Sequence, residues 1–171
     1  MLLPVRVDDR GRDQCEVVTI KVSAGYLNGY ADPEFIETLP AMRLPFHVTG
    51  KHRAFPVRGD SMPPAGTGDY VIGKYVESLN DIRSGNTYVL LTGDEGIVYK
   101  RVYTGSLKKQ GLLELHSDNR HYEPYRVEAG KVLEVWEFVC LLRTQDKKAE
   151  EINVDQMIHF LRSMKVELKG K

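Results

Sequence analysis

The chain has only two cysteines, Cys15 and Cys140, far apart and in no CxxC pattern. That excludes a disulfide framework and a thiolate zinc site and leaves two reduced thiols. There is no net charge: 24 basic residues balance 24 acidic ones. A nucleic-acid binder usually carries a basic excess or stripe, so the balance argues against direct DNA binding by this chain. No apolar run approaches the ~18 residues of a membrane span. The opening "MLLPVRVDDRGR" turns charged too early for a secretory signal. Internal repeats and low-complexity segments are also missing. At 171 residues, with 42% of them hydrophobic, the chain suffices for one domain with a real core, with or without an appendage.

What is present is mostly β. Residues 1–16 are mixed and charged and read as a tail or linker. "VVTIKVS" (17–23) is a strand by its β-branched content, and "AGYLNGYADPEF" (24–35) is a long loop by its Gly, Asn and Pro. "HRAFPVR" (52–58), "DYVIGKYV" (69–76), "GLLELHS" (111–117) and "VLEVWEFVCLLR" (132–143) are further strands. "NTYVLLT" and "GIVYKRVYT" flank "GDE", a hairpin signal. Short strands separated by Gly-containing turns predict a mainly antiparallel β domain over 17–143. Beyond it, Val154, Met157, Leu161, Met164 and Leu168 recur at alternating spacings of three and four. This spacing predicts a helix over 146–169 with one apolar stripe, able either to pack on its own domain or to form a short heptad seam.

The chemistry-bearing stretch is "FPVRGDSMPPAGTGDYVIGKY" (55–75). A serine hydroxyl is a poor nucleophile until a base takes its proton. None of the five histidines stands in a triad context. The alternative base is a lysine whose ammonium form is disfavoured by burial. Lys100 in "EGIVYKRVYT" fits, because alternation puts it on one strand face with Val98 and Val102, while Arg101 points away with Tyr99 and Tyr103. Gly59 allows close backbone approach, and Pro63 and Pro64 fit a tight turn or the first turn of a helix that would aim N–H groups at an oxyanion. On the residues alone, a plain turn serine and an ordinary strand lysine account for the pattern more simply. Asp60 and Asp69 read as turn and capping residues, Trp136 as core, and the Lys pairs at 108–109 and 147–148 as solvated surface.

"VRGDSMPPAGTGDYVI" followed by "EGIVYKRV" resembles the Ser-Lys self-cleaving peptidase domain of LexA, of phage CI-type repressors and of UmuD. "VSAGYLNGY" is similar to that family's Ala-Gly cleavage segment, and "HSDNRHYEPYRV" to its late loop and strand. The resemblance spans about 17–143. It implies a β-clip domain with a cleavage segment at 22–30, Ser61 as nucleophile and Lys100 as general base. The scissile bond would be Ala24–Gly25, presented in extended form, with the backbone N–H groups of Ser61 and Met62 as oxyanion donors. No cofactor or metal is implied. The implied role is the regulatory and dimerisation domain of a phage- or SOS-type transcriptional repressor in the cytoplasm, with latent self-cleavage stimulated by a RecA-type filament. The expected partners are a second copy of the chain and that filament. DNA would be reached only through a helix-turn-helix domain absent from this chain. A non-cleaving pairing module and a UmuD-like partner of an error-prone polymerase are the alternatives. A signal peptidase, which shares the Ser-Met and Lys signature, fits poorly without a membrane anchor. Asn119 is expected near the site without an assigned role.

Overall fold

Period-2 alternation of β-branched and aromatic residues places successive side chains on opposite sheet faces, and the chain uses both faces. A computed structural model describes residues 13–23, 25–46 and 49–144. Its strands are β1 (Cys15–Val17), β2 (Ala41–Met42), β3 (His52–Pro56), β4 (Tyr70–Tyr75), β5 (Thr87–Thr92), β6 (Gly96–Tyr103), β7 (Leu112–His116), β8 (Tyr125–Glu128) and β9 (Val132–Leu142). They form one nine-stranded sheet in the order β2-β1-β3-β4-β9-β5-β6-β7-β8. All pairings are antiparallel except the parallel pair β1–β3. The expected mainly antiparallel β architecture is what the chain adopts.

Long β9 is the organiser, pairing with β4 on one side and β5 on the other. Along β5, Val89 and Leu91 enter one core with Phe55, Val71 and Trp136, while Tyr88 and Leu90 enter a second with Val102, Leu113, Leu115 and Val135. Each such side chain contributes roughly 1.5–3 kcal/mol by leaving water. Trp136 is fully buried as expected. Where β9 bulges against β4, opposite Ile72 and Gly73, the missing side chain of Gly73 makes room for Trp136.

Two local expectations fail between 17 and 35. In place of the strand expected over 17–23, β1 starts at buried Cys15, inside the expected tail of residues 1–16, and ends at Val17, and residues Ile20–Ser23 form a helical turn, α1. In a strand Val18 and Ile20 would share a face; here Val18 is buried and Ile20 is 52% exposed. The Ser23 N–H bonds the Thr19 carbonyl at 2.8 Å instead of a neighbouring strand. β-Branched content yields because it reflects fit to a half-buried surface rather than an intrinsic preference. The segment expected as a loop contains α2 (Tyr26–Gly29) and α3 (Pro33–Glu37). Asp32 caps α3 by accepting from Glu34 N–H, with Pro33 at the first helical position. A fourth short helix, α4 (Leu107–Gln110), exposes Lys108 and Lys109. The helix expected over 146–169 and residues 1–12 of the expected tail lie outside the described residues. No helix among the described residues is long and apolar enough to cross a membrane.

Candidate active site

Ser61 lies in the connection between β3 and β4. Gly59 adopts φ +76°, a left-handed conformation that disfavours any side chain. Its N–H donates to Thr67 Oγ1 at 2.9 Å. Asp69 is fully buried and accepts from Gly66 N–H at 3.0 Å, a structural turn role as expected. Buried Met62 anchors the turn from below. No helix follows Pro63 and Pro64, so of the two expected geometries the tight turn is the one formed. Among the described residues, the N–H groups of Ser61 and Met62 have no hydrogen-bond partner.

Lys100 lies in β6 opposite Tyr88 of β5. Alternation turns it to the same side as fully buried Val102, while Arg101 turns away and forms paired 2.8 Å hydrogen bonds with Asp118. Burial pulls the Lys100 amine below its ordinary value, and the Glu95 carboxylate partly opposes this. Lys100 Nζ donates to Ser117 Oγ at 2.8 Å and lies 5.5 Å from the centre of the Tyr122 ring. Among the described residues there is no hydrogen bond between Lys100 and Ser61.

Ser61 and Lys100 nevertheless line one cavity of about 330 Å³, together with Arg58, Ser23 and Leu27. Ser23 and Leu27 come from either side of residues 24–25. Ala24 lies outside the described residues, and Gly25 is exposed at the start of α2. The flanks are helical turns rather than the extended chain expected. Two anchors hold them. Arg58 Nη2 donates to Ser23 Oγ at 2.6 Å. Tyr26 is fully buried; its hydroxyl donates to Glu134 Oε2 at 2.7 Å and accepts from Arg53 Nη1.

Arg53 is itself fully buried. It bonds Glu16 Oε2 through Nε at 2.8 Å and Nη2 at 2.6 Å, and its guanidinium lies 4.6 Å from the Trp136 ring centre. Burial pushes the Glu134 carboxyl above its usual range while Arg53 restrains it. The residues alone do not reveal this network, because an Arg between a His and an Ala in a strand shows no outward sign of burial. Ser117 and Tyr122 were missed as well, although they lie in "HSDNRHYEPYRV"; Asn119, expected near the site, does lie there, donating its N–H to the Ser61 carbonyl at 3.1 Å.

Among known families, a model described as Peptidase S24-like matches residues 16–140, most of the chain and all of the cavity. No curated protein matches it.

Proposed function

The chain belongs to the Peptidase S24-like family, that of the C-terminal domains of LexA, UmuD and phage repressors, and from this premise we propose that it is a latent self-cleaving regulatory domain of a phage- or SOS-type repressor. Neutral Lys100 takes the Ser61 hydroxyl proton as Ser61 Oγ attacks the Ala24 carbonyl carbon. The N–H groups of Ser61 and Met62 hold the developing oxyanion. Lys100 returns the proton to the Gly25 nitrogen as the peptide bond breaks. Water then attacks the Ser61 ester as Lys100 accepts its proton, and Lys100 returns that proton to Ser61 Oγ as the ester bond breaks, releasing the Ala24 carboxylate. The domain pairs with a second copy in the cytoplasm, and a RecA-type filament is the expected stimulant.

One observation carries this reading: Ser61, the burial-shifted Lys100, and residues from both sides of Ala24–Gly25 face the same cavity. A second reading, pairing without cleavage, is favoured by the engagement of Lys100 with Ser117 and by the helical flanks. A mass-spectrometric time course at neutral pH and near pH 10 separates them, run beside Ser61→Ala and Lys100→Ala. Splitting at Ala24–Gly25 in the wild type alone supports the peptidase. Intact mass throughout supports the pairing module.

A further inference from the structure

The connection between β7 and β8 touches both halves of the proposed dyad. At one end Ser117 Oγ accepts from Lys100 Nζ at 2.8 Å. Two residues on, Asn119 N–H donates to the Ser61 carbonyl at 3.1 Å, and Asn119 Nδ2 donates to the Asp60 carbonyl at 3.2 Å. Between them Asp118 N–H meets Met62 Sδ at 3.3 Å. At the far end Tyr122 donates its hydroxyl to Asp60 and lays its ring beside the Lys100 amine. The Arg101–Asp118 pair ties this loop to the strand that carries Lys100.

We propose that residues 117–122 form the positioning element of the site, with Ser117 orienting the Lys100 amine and Asn119 fixing the Ser61 turn. Ser117 is a positioning residue, not the nucleophile. The physical need is plain. Nζ ends a flexible four-carbon stem, and a base must present its lone pair within hydrogen-bond reach of the proton it takes. When neutral Lys100 donates one N–H to Ser117 Oγ, its lone pair is left to point elsewhere, and the cavity places Ser61 on its wall. The β6–β7 ladder begins at Arg101 opposite His116, so Ser117 is the next residue out, where the strands part and a side-chain bond replaces the ladder.

This inference rests on the Ser61–Lys100 reading above. Other charged or titratable groups facing Lys100 are Glu95 from the β5–β6 turn, Arg58 beside the Ser61 turn, and Tyr122 with its Asp60 partner. The hydroxyl acceptor favours the ammonium form, so its removal lowers the Lys100 pKa further while loosening the amine's geometry.

The test uses the full chain with Ser117→Ala and Ser117→Thr, beside wild type, Ser61→Ala and Lys100→Ala. Two quantities are read: the self-cleavage rate against pH, and the Lys100 side-chain titration followed by NMR. Ser117→Ala is expected to lower the alkaline plateau about ten-fold and to move the Lys100 titration down, and Ser117→Thr to restore both. A Lys100 titration unchanged in Ser117→Ala overturns the proposal, whether or not the wild type cleaves. So does cleavage that survives Ser61→Ala but not Ser117→Ala, since Ser117 would then be the nucleophile. Wild-type cleavage by Lys100→Ala sinks the dyad instead and leaves the titration to decide the role of Ser117.

Discussion

Replacing Arg53 by methionine probes the buried ion network that carries the Tyr26 anchor. Methionine keeps much of the volume and apolar contact, so the perturbation is chiefly electrostatic. Arg53 neutralises Glu16 through two hydrogen bonds and approaches Glu134 Oε1 at 3.5 Å. Among the described residues the remaining cation is Lys51, 3.9 Å from Glu16, and burial already lowers its affinity for a proton. Removing one partner of a buried pair while leaving the other charged costs about 3–5 kcal/mol. Urea unfolding near neutral pH should show the unfolding free energy lower by that amount, read as a fall of the midpoint with an unchanged slope. The loss should also depend on pH. Glu134 is already held above its usual range by burial, and Arg53 is the strongest of the groups that restrain it, ahead of the Tyr26 and Trp136 hydrogen bonds. Without Arg53 its folded pKa rises further above the unfolded value of about 4.3. Between those two values the folded state binds the extra proton, so stability falls as pH rises through the window. The deficit of the variant is therefore largest near neutral pH and smallest below about pH 4. Adding Glu134→Gln should recover about 1 kcal/mol or more near neutrality. A loss below about 1 kcal/mol at neutral pH, or one identical at pH 4 and pH 7, would refute the account.

Two further outcomes follow from single residues. Gly73→Ala should destabilise by about 1–3 kcal/mol in the same assay, because the new Cβ would meet Trp136 Cβ at 2.6 Å; a neutral result would mean that the β4–β9 bulge relaxes freely. Self-cleavage should rise with pH through the Lys100 titration, with its inflection below the ordinary lysine value of 10.5 because burial lowers it. An inflection at or above that value in the pH–rate profile would remove burial as the activating device.

Whatever depends on neighbours along the chain could be read from the residues alone. Alternation in "EGIVYKRVYT" sent Lys100 to the side of Val102 and Arg101 to the other, and β6 has that arrangement. The hairpin around "GDE" and the strands at 52–56, 70–75, 112–116 and 132–142 were legible for the same reason. β-Branched content misled at 17–23, where burial of Val18 and exposure of Ile20 broke the alternation. Which distant residues meet is set by the folded sheet. Ser61 and Lys100 share a cavity because β4, β9, β5 and β6 are consecutive in the sheet, an order no local periodicity encodes. The burial of Arg53 against Glu16 and Glu134 depends on β1, β3 and β9 contributing to one side of the sheet. The bond from Lys100 to Ser117 depends on the register of β6 with β7. Period and propensity act over a few residues, whereas register and strand order are set by which faces can be buried together. Much of this site is built from the second kind of information.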